Sequence, residues 1–188
     1  MYPISKPEDL LNAVLARNTV LQAVVPAVAS PTEAPPELDV VDFLAQSARN
    51  VFARMFNIRL SPVHTRQSGY PQTRHALTGL ITIHGCLKAE IAINLSETLA
   101  LAITTAMSGT RPNSVDSDVI DVIGELANMI GGNAKERLKK ECLQIGLPTV
   151  IFGQTHQLHF EEDGEVAFAC FTCDEGAFQI EVSLRDPY

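Results

Sequence analysis

Residues 118–138 read DVIDVIGELANMIGGNAKERL. At ~100° per residue, Val119, Ile120, Ile123, Ala127, Ile130, Ala134 and Leu138 fall on one side of a helix running from about Asp116 to Leu138. Asp118, Asp121, Asn128 and Gly132 fall within about 60° of Glu125 on the opposite side. An apolar side this wide has to be buried against another layer of structure. The flanking sequence says what that layer is.

Beyond the helix and Pro148, Thr149–Phe152 begins a strand, and residues 165–173 and 177–184 continue as two more around an Asp174-Glu175-Gly176 turn. The last alternates cleanly, with Phe178, Ile180, Val182 and Leu184 on one face and Gln179, Glu181 and Ser183 on the other. Upstream, residues 76–85 (ALTGLITIHG) and 89–95 (AEIAINL) read as a hairpin. Ser96 caps a following helix, SETLALAITTAMSG, which Gly109 stops. Residues 39–57 are amphipathic and helical, and a polar loop containing Ser68-Gly69-Tyr70-Pro71 follows them. The order is α, β-β, α, α, β-β-β. That order predicts an α+β fold in which helices pack on an antiparallel β-sheet.

Residues 1–36 read as a separate piece, an N-terminal helix and Pro-rich linker, and 37–188 as the main domain. Ser5-Lys6-Pro7-Glu8 fits a capping box for a helix from about Lys6 to Val24. Pro26 and the run SPTEAPPE (30–37) then impose an extended linker. A faint echo relates the two amphipathic helices. When Val41-Asp42 is set on Ile120-Asp121, Gln46 and Arg49 stand where Glu125 and Asn128 stand.

Composition narrows the function. The net charge of −8 and the lack of any basic run beyond Lys139-Lys140 predict no nucleic-acid partner. No segment reaches the ~18 apolar residues of a membrane span. Lys6, Glu8 and Asp9 stand where a signal peptide needs an unbroken apolar core. The expectation is a soluble, cytoplasmic protein without membrane association. No metal site is expected. Cys170 and Cys173 sit i, i+3 in a strand, and His156 and His159 would likewise face opposite ways in an extended segment. No Ser/His/Asp or Cys/His arrangement supports a conventional hydrolase. Gly131-Gly132-Asn133-Ala134-Lys135 lies inside a helix, not in a strand-to-helix phosphate loop.

The chemistry therefore concentrates on the long helix. Glu125 and Asn128, at i, i+3, point the same way. Asparagine is a poor mid-helix residue, and Gly131-Gly132 costs roughly 1 kcal/mol per glycine relative to alanine. Such costs point to side-chain use and close approach. The carboxylate suits docking a cation and the amide suits orienting a water. Asp121, Gly132 and Lys135 complete a partner-binding stripe, with Asp118 adding to a negative strip suited to a partner's lysine.

GELANMIGGNAK (124–135), preceded by acids and followed by LPTVI (147–151), resembles the CheX-type members of the CheC/CheX/FliY phosphatase family. The resemblance spans roughly residues 38–185. It takes in the first helix ending in MFNI and the segment GLITIHGCLKAEIAINLSETLALAITTAMSG. It implies a CheC/CheX-like pseudo-duplicated architecture and hydrolysis of the aspartyl phosphate of a response-regulator receiver domain such as CheY. It implies that Glu125 docks a receiver lysine and that Asn128 orients the attacking water. Only the second helix carries the pair, so one active surface per chain follows. The resemblance also implies a homodimer, and Mg²⁺ supplied by the phosphorylated receiver, with no cofactor of the chain's own. A non-catalytic adaptor recognising a receiver or a flagellar-switch component is the alternative, which the 36-residue extension would suit.

Overall fold

The computed structural model describes residues 37–185 apart from 73, 139–141, 154–155 and 161–164. The helix and linker expected over 1–36 lie outside the described residues. Helix α1 (Glu37–Val51) widens into a π-helical turn (Phe52–Phe56) and stops at Asn57, whose φ of 57° is left-handed. Then come β1 (Ser61–Ser68), β2 (Leu77–His84), β3 (Lys88–Leu95), α2 (Glu97–Ser108) and α3 (Ser117–Leu138). The chain ends through β4 (Gln144–Ile145), β5 (Thr149–Phe152), β6 (Glu165–Cys173) and β7 (Gly176–Arg185).

The strands form one antiparallel sheet in the order β1-β6-β7-β3-β2. Beyond β2, β4 and β5 share its outer edge. Ile145 faces Ile83, and Val150 faces Gly79. Helices cover one face, as expected of an α+β fold. Leu44, Phe52, Leu99, Ile103, Ile123 and Ile130 close over Ile81, Ile93, Phe178 and Ile180 in one aliphatic core. Ser96 caps α2 by accepting from the Leu99 amide at 3.4 Å, and Gly109 ends it with φ 75°. Both residues do what the sequence expects of them.

Three features differ from the sequence expectation. Residues 61–68, expected within a polar loop, form β1. It is an edge strand, bulged between Pro62 and His64 and again before Gln67, with mostly exposed side chains. It therefore carries no apolar alternation to read. Two-residue β4 is too short for any periodicity. Finally, the polar face of β7 is buried as well as the apolar one: Gln179, Glu181 and Ser183 are all inside. β7 is central, and the segment before β2 folds across that face. Asn94 holds the segment there by accepting from the His75 amide at 2.6 Å and donating to the carbonyls of His75 and Leu77.

The two helices linked by the sequence echo lie side by side. The Ser47 hydroxyl of α1 donates to the Ile130 carbonyl of α3 at 2.9 Å. Gln46, at the echo position of Glu125, accepts from Arg137 of α3 at 2.8 Å.

Candidate functional site

Helix α3 is set on the sheet by its small residues. A Cβ on Gly79 of β2 would stand 3.2 Å from the Ala127 methyl and 3.3 Å from the Ile123 carbonyl oxygen. The helix and β2 can approach this closely only because that strand position is bare. Asp116 caps the start, accepting from the Val119 amide at 3.1 Å. Val119, Ile123, Leu126, Ala127, Ile130 and Ala134 are buried beneath. The helix is thus a rigid platform, and the polar stripe faces outward from it.

Asp118, Asp121, Glu125 and Asn128 are exposed, while Gly132 and Lys135 are half-buried. Glu125 and Asn128 have no hydrogen-bond or ion-pair partner among the described residues. Nothing lies within 4 Å of a Cβ built on Gly132, so the surface beside Asn128 is open. The helix therefore brings together Asp121, Glu125, Asn128, Gly132 and Lys135, with Asp118 on the same side. An exposed carboxylate and amide with unspent hydrogen-bonding capacity can be completed only from outside the domain.

Two walls flank the stripe. On one side, α1 and α3 border a cleft of about 390 Å³ lined by Asn50, Arg54 and Met55 against Met129, Asn133 and Glu136. On the other, Gly124 lies against Pro148 and Val150, at 3.8 and 3.7 Å from a built Cβ. Sequence reasoning missed this second wall. Its available signal was Gly124 beside Glu125, a bare position on the flank of the helix.

The remaining candidates fall elsewhere. His156 is tied into the fold: its Nδ1 meets the Gly153 carbonyl at 3.0 Å and its Nε2 the Thr78 hydroxyl at 2.7 Å. A carbonyl only accepts, so Nδ1 carries a proton and donates to Gly153. His159 is exposed beside the Tyr70 ring. Among the described residues, no group of three or more His, Cys, Asp or Glu is gathered as a metal ion would need. Cys170 faces Gln179 and Cys173 the Gly176 carbonyl, and burial pushes both thiols above their usual pKa. Cys86 and Cys142 form a disulfide between the β2–β3 turn and the segment after α3. Their separation of 56 residues carries no sequence signal for pairing.

The family model described as "Chemotaxis phosphatase CheX" matches residues 77–173, which run from β2 to the end of β6 and include all of α3. The chain belongs to the CheX family. Among solved structures, a CheC-like superfamily protein from Shewanella sp. PV-4 is 30% identical with a TM-score of 0.72, covering 79% of this chain and 98% of its own. The chemotaxis protein CheX from Vibrio vulnificus is 28% identical with a TM-score of 0.73, covering 78% and 99%. A CheX–CheY–BeF₃–Mg²⁺ complex from Borrelia burgdorferi contains a chain of the same fold, 16% identical with a TM-score of 0.64, covering 78% and 97%. A comparison with curated proteins gives no match. The CheX-family assignment agrees with the helices-on-sheet architecture. Among the described residues no helix is long and apolar enough to cross a membrane.

Proposed function

We propose that this CheX-family chain accelerates hydrolysis of the aspartyl phosphate on a CheY-like response-regulator receiver domain. The observation that carries the reading is the exposure of Glu125 and Asn128, both unpartnered among the described residues, on one face of a helix locked to the sheet. The family's description as a chemotaxis phosphatase and the Borrelia relative's complex with CheY support the class of substrate.

Asn128 inserts toward the phosphorylated aspartate and accepts a hydrogen bond from water through its side-chain oxygen. The water oxygen attacks phosphorus in line and the bond from phosphorus to the aspartyl oxygen breaks. Aspartate and inorganic phosphate result, with the water's proton ending on phosphate or solvent. Such a reaction needs positioning more than covalent chemistry. Glu125 pairs with a receiver lysine, and Asp121, Gly132 and Lys135 border the contact. The Mg²⁺ belongs to the receiver. A homodimer in the cytoplasm is part of the same reading, to be checked by light scattering and cell fractionation.

The test is phosphate release from receivers phosphorylated with a small-molecule donor. Wild type shortens the phosphate lifetime and Asn128→Ala does not, with an unchanged far-UV spectrum. Equal lifetimes with the two proteins would remove Asn128 from the mechanism. Saturable binding to an activated receiver with no change in lifetime would mark an adaptor instead.

A further inference from the structure

We infer that the edge of the sheet beside α3, centred on Leu147 and Phe152, is an apolar docking margin for the same receiver domain whose phosphate Asn128 reaches; this rests on the phosphatase reading above. Leu147 is 93% exposed and Phe152 52% exposed. A lone exposed leucine means little, but here the backbone around it is pinned. The Gly146 amide donates to the Thr82 carbonyl at 2.8 Å, and Pro148 sits against Gly124. Leu147 is held between two anchored neighbours, so its side chain is presented from a fixed position.

The register places this margin alongside the candidate catalytic stripe. Val150 is opposite Gly79, the strand position under Ile123 and Ala127, and Phe152 is opposite Leu77. Phe152 thus continues the row begun by Pro148 and Val150, along the flank of α3. Asn128 lies one turn beyond Gly124, about 40° around the helix. The amide therefore leans toward the side on which Pro148 and Val150 pack. A domain that brings an aspartyl phosphate to Asn128 has to cover that side.

The surface is divided as a recognition face is. Its charged ridge of Asp118, Asp121 and Glu125 fits a receiver lysine, and its apolar margin of Leu147 and Phe152 fits apolar side chains on the same face of that receiver. Because the margin is preformed, little ordering cost is added on binding.

The experiment titrates wild type, Leu147→Ser and Leu147→Met with a CheY-type receiver activated by beryllofluoride and Mg²⁺. Phosphate release at saturating receiver is measured in parallel. At so exposed a position neither substitution removes core packing, and thermal melting checks this. We expect Leu147→Ser to raise Kd about tenfold, equivalent to about 1.4 kcal/mol, with kcat unchanged and Leu147→Met near wild type. Kd within twofold of wild type for Leu147→Ser overturns the inference. So does an unchanged Kd together with a loss of dimer, which would assign the margin to a second copy of the chain. Weakened binding by Leu147→Ser, when wild type leaves the phosphate lifetime unaltered, keeps the docking margin and removes the phosphatase reading. Absence of any wild-type binding removes both.

Discussion

Gly131 of α3 lies directly on Ile81 of β2: a Cβ built on the glycine stands 3.3 Å from both Cδ1 and Cγ2 of the isoleucine. Its neighbour Gly132 has nothing within 4 Å. The two adjacent glycines thus serve different ends, one the packing of the helix and the other the open surface beside Asn128. Gly132→Ala should stabilise the helix by about 1 kcal/mol, raising Tm by about 2–4 °C. Gly131→Ala should show no such gain, because its methyl presses on a buried side chain that cannot withdraw. Thermal melts of the two single variants decide this. If Gly132 also gives a receiver room to approach, Gly132→Ala binds an activated receiver more weakly despite melting higher.

Glu125 and Asn128 should separate kinetically. Asn128 is assigned to the water, so Asn128→Ala should lower kcat by at least about 100-fold, the scale of a lost positioning group. Glu125 is assigned to docking, so Glu125→Gln should act mainly on KM and on the salt dependence of binding. Steady-state phosphate release at two ionic strengths gives both. Parallel losses of kcat in the two variants, with KM unchanged, would contradict the division of labour.

The amphipathic periods of α1 and α3, the hairpins and the cap at Ser96 were all legible, because each rests on local patterning. The outward stripe on α3 was legible for the same reason: Glu125 and Asn128 share a helical face whatever packs beneath. What escaped were contacts between distant segments. Edge strand β1 buries too little to show a period. The burial of Glu181 depends on Arg74, 107 residues away. The wall of Pro148 and Val150 beside Asn128 exists only once β5 is paired to β2.

The Cys86–Cys142 disulfide is one such long-range feature. It closes a loop of 56 residues containing β3, α2 and α3. A link of this span contributes about 2–4 kcal/mol, chiefly by restricting the unfolded chain. Cys86→Ser should therefore lower Tm under non-reducing conditions and leave it unchanged in excess dithiothreitol. Thiol titration of the unfolded, non-reduced protein should find two free cysteines of the four. Four would show the pair reduced, the usual state in a cytoplasm.

His75 gives the fold a pH dependence of definite sign. Burial lowers its pKa below the usual 6.5, so folding favours the neutral ring. The unfolded chain then binds more protons between the folded value and 6.5. Stability from this group is complete above 6.5 and falls as pH drops through that window. His75→Gln should flatten this part of a Tm-against-pH curve. An identical slope in wild type and variant would remove His75 as its source.

Arg74 and Glu181 form the most consequential pair outside the candidate site. Glu181 is fully buried at 0% side-chain exposure, and Arg74 is 13% exposed. The guanidinium meets the carboxylate as a fork, Nε to Oε1 at 2.8 Å and Nη2 to Oε2 at 2.5 Å. It also lies 5.6 Å from the Tyr70 ring centroid. Breaking such a pair by removing one partner leaves a charge in the interior and costs about 3–5 kcal/mol. Arg74→Met should therefore be strongly destabilising. The double variant Arg74→Met, Glu181→Met should recover much of that loss, because two apolar side chains of similar length leave no charge to solvate. Chemical denaturation of the two single variants and the double variant measures the coupling directly. Additive losses would show that the two side chains act independently. Strong recovery would show that the pair ties the segment before β2 to the sheet without contributing much net stability.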